Sequence, residues 1–238
     1  MDPRTLLNAE QTDRVEVLEG LMRSRRSCRA FLPTPVPMQT IIRMLSIAQR
    51  SPSWCNTQPW QLEVTSGLAT ERLRAGLRNH IRTRGSAATA PDFAMPVEYT
   101  GDRLARRRES GWQLYDAVGI ARGDRQASAR QAAENVAFFG APHVAIVTTA
   151  TELGVYGAVD AGIYAGVLLL AAESMGIAAV AQAAIARYSP FVREHFGLDA
   201  SQRVLLAVSF GYADDQHPAN SFRTARAGLN EAARFHSE

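Results

Sequence analysis

Three arginines and a serine lie within five residues in the segment RRSCRAF, residues 25–31. Arginine presents forked N–H donors that suit phosphate and carboxylate oxygens, so these residue types at this spacing can form an anion receptor. If the segment is extended, alternate side chains share one side, which places Arg25, Ser27 and Arg29 together. The alternative interpretation is a basic helix C-terminus whose arginines compensate the helix dipole.

Two further segments offer polar side chains for ligand binding. The first is SPSWCNTQPW, residues 51–60, whose hydroxyl and amide groups can hydrogen-bond the edge of a heteroaromatic ring. The second is NSFRTAR, residues 220–226, which carries a second arginine pair far along the chain from the first. A helix-to-strand connector and a surface tail are the respective alternatives. Spacing alone does not show whether the two arginine groups meet at one phosphate.

The basic residues are unusual in kind, because all 26 are arginine and the chain has no lysine. This excludes reactions that need a lysine amine, such as Schiff-base chemistry and P-loop phosphate binding. The patterns G-x-G-x-x-G and G-x-S-x-G are also absent, which argues against the common dinucleotide fingerprint and the α/β-hydrolase nucleophile. The two cysteines and five histidines lack metal-ligand spacing, so no metal site is predicted.

The charge pattern favours neither a nucleic-acid partner nor a membrane. The net charge is only +3. The one dense basic run, residues 106–108, is followed directly by Glu109, which favours a solvated helix face over a nucleic-acid-binding patch. The uncharged stretch over 161–172 is too short to span a bilayer, and the N-terminus lacks the apolar core of an export signal. These features predict a cytoplasmic protein.

Hydrophobic periodicity predicts seven helices and four strands. The helices are expected over residues 14–25, 38–50, 69–84, 103–120, 128–139, 157–175 and 190–196. The strands are expected over residues 60–65, 143–149, 178–182 and 203–211. Because strands and helices do not alternate regularly, this order favours an α+β fold with one mixed sheet covered by helices over a doubly wound sheet.

The chain is expected to form one domain over residues 13–238, after a flexible segment over 1–12. Within it, residues 85–125 form an excursion and residues 212–238 a C-terminal arm. The helix over 157–175 is apolar nearly all round and must be enclosed on every side. A second copy of the chain provides the easiest enclosure, which predicts a two-fold dimer; a central helix in a monomer is the alternative.

Together these segments resemble the nitroreductase family of FMN-dependent, NAD(P)H-using oxidoreductases over most of the chain. The opening segment is similar to the family pattern R-[RH]-S-x-[RK]-x-F, and the loop to A-P-S-x-x-N-x-Q-P-W. The segments GWQLYDAVGIARGD, FFGAP and AQA and the ending N-x-F-R-T-x-R-A-x-L resemble its nitrobenzoate-reductase branch. The resemblance implies an intertwined homodimer with a mixed, mostly antiparallel central sheet flanked by helices and with two FMN molecules at the subunit interface.

The resemblance also implies which residues hold the cofactor. Arg25 and Ser27 are expected at the ribityl phosphate, and Arg29 near the N1/O2 edge of the flavin ring. The loop of residues 51–60 is expected to come from the partner subunit, and Ala183 is expected to contribute backbone donors only. The full set of expected FMN-binding residues is Arg25, Arg26, Ser27, Arg29, Pro52, Ser53, Asn56, Gln182, Ala183, Arg223 and Arg226.

The implied reaction is hydride transfer from NAD(P)H through flavin N5 to a flat nitroaromatic acceptor in ping-pong order, with no protein nucleophile. Trp112, Tyr115 and Phe139 are expected to contact the acceptor, with ordinary core packing as the alternative. A quinone, an enone or a halogenated ring as acceptor stays open, as does an FMN-binding protein without turnover. The sequence distinguishes neither NADH from NADPH nor a redox role of Cys28 and Cys55 from simple packing.

Overall fold

The computed structural model describes residues 9–237. The expected flexible segment over residues 1–12 lies mostly outside this range. Its last four residues form the first turn of a helix. Glu10 in that turn pairs with Arg14, four residues later, which is the spacing that stabilises a helix start.

The described residues form eight α-helices around one four-stranded sheet. The helices are α1 (Ala9–Ser24), α2 (Met38–Ala48), α3 (Leu68–Arg84), α4 (Gly101–Ala117), α5 (Arg125–Ala133), α6 (Gly154–Ser174), α7 (Ser189–Phe196) and α8 (Leu229–Ala232). The strands are β1 (Trp60–Ser66), β2 (His143–Ala150), β3 (Ala178–Gln182) and β4 (Gln202–Gly211). Each predicted helix and strand is present, and α8 is an additional short helix in the C-terminal arm.

The sheet has the strand order β1-β2-β4-β3, and every pair of neighbouring strands is antiparallel. A single parallel bridge joins Ser27 to Ala179, so the arginine segment runs along the outer edge of β3. The backbone N–H of Cys28 donates to Ala179 O at 3.2 Å, which fixes this position. The predicted α+β class with a mostly antiparallel sheet is confirmed.

Helices cover both faces of the sheet, as the sequence of β2 requires. This strand reads HVAIV, and it is buried on both faces because alternate side chains enter different cores. Ala145 and Val147 face α2 and α6, whereas Val144 and Ile146 face α3 and α7. The edge strand β1 joins the first of these cores through Trp60, whose ring stacks on a tyrosine of α6 at 5.0 Å.

The central helix α6 packs closely on the sheet along one side. At Gly157 an added Cβ atom would lie 2.6 Å from Thr149 Oγ1, so only glycine allows this approach. By length and composition, residues 151–174 would suffice to cross a membrane. This range is longer than the uncharged stretch over 161–172 from which the sequence prediction was made. However, the buried side packs against α2, β2 and β3, as in the core helix of a globular fold.

The other side of α6 is exposed within one chain. Val155, Tyr156, Val159 and Ile163 are apolar or aromatic residues, and each is at least 40% exposed. The sequence predicts that α6 is buried on every side, but within a single chain only one side of the helix is buried.

The helix predicted over residues 128–139 is too long. Helix α5 ends at Ala133, and the chain then turns before entering β2. Phe138 and Phe139 take positive φ values of 54° and 53°, which a helix does not allow. The local sequence favours a helix, but Phe138 is fully buried in the core beside α3, and this burial outweighs the local preference.

Candidate functional site

A cavity of about 530 Å³ lies between the end of α1, the arginine segment and the C-terminal arm. Its walls contain arginines of both segments, residues 25–31 and residues 220–226. Spacing in the sequence did not show whether these two groups lie close together. The arginines that line it are Arg23, Arg25, Arg26, Arg29, Arg223 and Arg226. Ser27 and Thr224 add hydroxyl groups to the same walls.

Most of this positive charge is not neutralised within the chain. Arg26 pairs with Asp215, and Arg23 pairs with Glu19 at 3.0 Å. Within residues 9–237, the other four arginines of the cavity form no ion pair with a carboxylate. Arg29, Arg223 and Arg226 each use Nη1 for hydrogen bonds within the chain. Their other N–H groups, and those of Arg25, are available to a bound anion, with which arginine forms charge-assisted hydrogen bonds.

The segment carrying Ser27 and Arg29 has the predicted alternation. Cys28 and Ala30 point into the interior and are buried, whereas Ser27 and Arg29 line the cavity. Burial raises the pKa of the Cys28 thiol, and its Sγ contacts Ala30 O at 3.1 Å. These properties describe a packed, protonated thiol rather than a reactive one.

Arg29 occupies the junction between this cavity and its neighbour. Its guanidinium donates to Ser27 O at 3.2 Å and lies 5.6 Å from the ring centre of Phe222. Desolvation by burial lowers the pKa of Arg29, because the protein surroundings disfavour the charged form. The ordinary value is so high that the group stays a cation at neutral pH.

Asn220 connects the C-terminal arm to the arginine segment. Its Oδ1 accepts from the backbone N–H of Arg29 at 2.7 Å, and its Nδ2 donates to Ala30 O and Asp214 O, each at 2.9 Å. The side chain is buried, although the surrounding tail is polar and exposed. No separate role for Asn220 is predicted from the sequence, where its only signal is its place at the start of the N-x-F-R motif.

A second cavity, of about 340 Å³, adjoins the first and shares Ser27 and Arg29 with it. Its other walls combine the aromatic residues Tyr115 and Phe139 and the aliphatic Val180 with polar side chains such as Gln131 and Asn135. Such walls suit a flat ring, and this second cavity is called the slot below. Ser27 and Arg29, which it shares with the first cavity, place an anion site at one end of the slot.

The expected acceptor residues are divided between two cavities. Tyr115 and Phe139 line the second cavity, where Phe139 also packs in a small apolar core beside Cys28. Trp112 instead lines a neighbouring cavity together with Tyr115, and the two ring centres are 5.9 Å apart.

Gln182, at the end of β3, uses its side chain within the chain. Its Nε2 donates to Asn135 O at 2.9 Å, and its Oε1 accepts from the Ser209 hydroxyl. The next residue, Ala183, is exposed and begins a short 3₁₀ turn. The Gln182 side chain is thus held within the chain, and the flavin contact expected at these two positions stays a prediction.

The loop of residues 51–59 lies away from both cavities. It precedes β1, which is the edge strand opposite β3, and Pro52, Ser53 and Asn56 line neither space. The loop is ordered within the chain, because Trp54 N donates to an Asp160 carboxylate oxygen at 3.1 Å. A single chain thus assembles the arginine part of the predicted site but not the loop part.

The arginine cavity meets the chemical requirements of a flavin mononucleotide phosphate. Four guanidinium groups without carboxylate partners match a doubly charged phosphate, and the adjoining cavity, with aromatic and polar walls, matches a flat ring with polar edges. The Nε atom of Arg26 is buried and has no hydrogen-bond partner among the described residues. Its N–H group can therefore donate to a bound ligand. The residues present therefore fit this cofactor.

Fold and cavities together define an α+β protein with a phosphate-type site beside a slot for a flat ring. The model of the Nitroreductase family matches residues 22–212. The chain belongs to the nitroreductase family, which confirms the resemblance seen in the sequence.

Individual relatives span almost the whole chain. Nitroreductase NfnB of Mycolicibacterium smegmatis is 37% identical over 99% of both chains. The 4-nitrobenzoate reductase of Pseudomonas putida is 35% identical over 87% of this chain and 90% of its own. The crystal structure of the FMN-dependent nitroreductase NfnB from Mycobacterium smegmatis in complex with NADPH superposes with a TM-score of 0.87 at 38% identity, covering 94% of this chain and 99% of that one.

Proposed function

We propose that this protein is an FMN-dependent oxidoreductase that transfers hydride from NAD(P)H to a nitroaromatic acceptor. The observation that carries the proposal is the arginine cavity, in which four guanidinium groups have no carboxylate partner, joined at Arg29 to a slot with aromatic side chains in its walls. Relatives named as nitroreductases and an FMN-dependent structural neighbour bound to NADPH support it. Cytoplasmic localisation is part of the same proposal.

In this proposal each part of the site has a distinct task. Arg25, Ser27, Arg223 and Arg226 bind the FMN phosphate, because they present donors to one cavity. When bound, FMN supplies hydride acceptance and donation at N5 of its ring. Arg29 holds a positive charge at the junction of the cavities, which favours electron acceptance by an adjacent ring.

The slot residues exclude water and orient flat molecules. Tyr115 and Phe139 present aromatic surface, and Val180 completes an apolar wall. We assign NAD(P)H and the acceptor in turn to the open side of this slot, against the flavin ring, which gives ping-pong kinetics. The chain then needs no nucleophile or dedicated general base, since binding and orientation are its only tasks.

We further propose that the working molecule is a homodimer in which the partner's loop completes each site. Two observations on one chain support this proposal. The loop with Pro52, Ser53 and Asn56 lies at the opposite edge of the sheet from the arginine cavity, so only another copy can bring it there. The exposed apolar side of α6, around Val159 and Ile163, provides a surface for that copy.

The visible spectrum of the purified protein tests this proposal. We expect a yellow protein whose absorbance near 450 nm bleaches under anaerobic NADPH or NADH and returns when a nitroaromatic acceptor is added. Because the cavity is built for a phosphate, FMN should bind at least about 10-fold more tightly than riboflavin, and Arg226→Ala should reduce that difference. A protein that stays colourless after incubation with FMN, or that binds riboflavin equally well, would contradict it.

A further inference from the structure

A third cavity, of about 600 Å³, opens beside the aromatic slot along α4. It is lined by Arg107, Arg108, Trp112 and Tyr115, and it shares Arg107 and Tyr115 with the slot. A molecule whose ring occupies the slot therefore has arginine side chains at its outer end. The three arginines are exposed, as expected for the solvated helix face that the sequence pattern favoured, and two of them also line this cavity.

The positive charge of this third cavity is available to a ligand. Of the run Arg106-Arg107-Arg108, only Arg106 is paired with a carboxylate within residues 9–237, that of Glu231. Arg107 lies 5.1 Å from the ring centre of Tyr99, a contact with an aromatic face that leaves its N–H groups free for an anion.

Neighbouring groups increase the positive potential at this outer end. Arg122 lies 4.7 Å from the ring centre of Trp112, which adds a third guanidinium beside the cavity. The nearest acid in sequence, Glu109, lines none of these cavities, and its carboxylate accepts a hydrogen bond from Gln113. An aromatic wall next to unpaired guanidinium groups suits a ring that carries an anion.

We propose that Arg107 and Arg108 select acceptors in which the flat ring carries a carboxylate, with Tyr115 contacting the ring. This inference deepens the proposed function and rests on it. A nucleotide phosphate is the other anion to consider. The 2′-phosphate of NADPH lies at the end of the dinucleotide remote from its nicotinamide ring, whereas Arg107 lines the same cavity as Tyr115 and Phe139. Proximity to the ring slot thus favours the carboxylate.

The test compares 4-nitrobenzoate with its neutral methyl ester, so that only the charge of the substituent changes. In Arg107→Gln, Arg108→Gln and the double variant, we expect kcat/KM for the acid to fall about 10- to 100-fold, since each arginine contributes charged hydrogen bonds. The value for the ester should stay within about twofold of wild type. Arg103→Gln is the matched control, because it removes an exposed arginine of the same helix that lines none of these cavities.

A binding measurement separates recognition from turnover. Benzoate should bind the oxidised wild-type protein more tightly than benzamide in calorimetry, and the double variant should lose that preference. An equal loss for acid and ester, or no loss for the acid, would overturn the proposal. A rise in KM for NADPH without one for NADH would also overturn it, by assigning the arginines to the 2′-phosphate. A wild-type protein that NADPH does not reduce would instead refute the proposed function itself.

Discussion

The backbone N–H of Arg29 donates a hydrogen bond to Oδ1 of Asn220 at 2.7 Å, across 191 residues of sequence. Together with the backbone bond from Asp214 N to Ala30 O, this contact holds the C-terminal arm against the segment that runs along β3. It thereby places Arg223 and Arg226 beside Arg25, and the phosphate-type cavity exists because of this arrangement. The anion site is thus a property of the tertiary fold rather than of either arginine group.

Replacing Asn220 should loosen the arm and weaken phosphate binding. Asn220→Ala removes three hydrogen bonds and leaves the N–H of Arg29 without its partner, whereas Ala30 O still accepts from the N–H of Asp214. We expect a loss of about 1–3 kcal/mol in stability and roughly 10-fold weaker FMN binding. Ser221→Ala is the control, since the Ser221 hydroxyl bonds only the nearby Pro218 carbonyl. Unchanged FMN affinity in Asn220→Ala, measured by fluorescence titration, would show that the arm is not held this way.

Arg29 should affect electron transfer more than binding. A cation about 4 Å from a ring that gains negative charge is worth up to about 4 kcal/mol at an effective dielectric constant of 20. We expect Arg29→Ala to lower the flavin potential by on the order of 50 mV while FMN affinity changes less, and Arg29→Lys to restore part of it. Arg25→Ala should show the reverse pattern, with weaker binding and a nearly unchanged potential.

Spectroelectrochemical titration measures these potentials. Arg78→Ala is the control, because Arg78 is exposed on α3 and lines neither of the first two cavities. A potential in Arg29→Ala equal to that of wild type would remove Arg29 from this role.

Asp160 should support the loop that the proposal assigns to the partner's site. The loop contains Cys55, Asn56 and Gln58 at φ values of 51°, 55° and 48°, and such conformations cost about 1–3 kcal/mol each unless the surroundings hold them. The buried Asp160 carboxylate holds Trp54 N at the start of this strained stretch. We expect Asp160→Ala to lower FMN occupancy several-fold, with the protein still folded and dimeric.

Asp160→Asn is the paired variant, because its amide oxygen can still accept from Trp54 N. It should retain most of the FMN, as measured by the ratio of absorbance at 450 and 280 nm. Equal occupancy in Asp160→Ala and wild type would refute the supporting role.

Two histidines, the buried His143 and the partly buried His195, should make the protein less stable in mild acid. His143 Nε2 accepts from the backbone N–H of Val36 at 2.8 Å, which requires a neutral ring. Burial lowers the pKa of His143, and the pKa of His195 is lowered too. Because the unfolded chain binds the proton more readily, stability is full above about pH 6.5 and falls as the pH drops below that value, by up to about 1.4 kcal/mol per unit and histidine.

Urea denaturation at pH 7.5 and 5.5 measures this effect. We expect a lower midpoint at pH 5.5, and a smaller difference between the two pH values in His143→Gln. A midpoint that is the same at both pH values would contradict the assignment.

The sequence predicted those features of the site that depend on local periodicity. The alternation of buried Cys28 and Ala30 with Ser27 and Arg29 follows from the two-residue repeat of an extended segment. The buried strand β2 is likewise visible in its continuous apolar run. Motifs such as N-x-F-R indicated the family. Each short segment is ambiguous by itself, but together the segments match the family pattern.

The remaining features depend on tertiary packing, which local patterns do not encode. Asn220 stands in a polar tail, and only its contacts across the fold show that it is buried. Phe138 and Phe139 follow a good helical sequence, yet burial of Phe138 forces the left-handed turn there. The proposed recognition of a carboxylate by Arg107 and Arg108 likewise depends on the packing of α4 beside the slot, which the sequence pattern does not show.

The central claim is that each FMN site combines the arginine cavity of one copy with the loop of another. Co-expression of two differently tagged variants tests it most directly: Arg25→Ala/Arg226→Ala in one chain and Ser53→Ala/Asn56→Ala in the other. Each homodimer should bind little FMN. A heterodimer purified through both tags has one site with every defect and one site with none, so it should hold about half the wild-type FMN. A heterodimer without FMN would contradict the claim, because both parts of the site would then belong to the same chain.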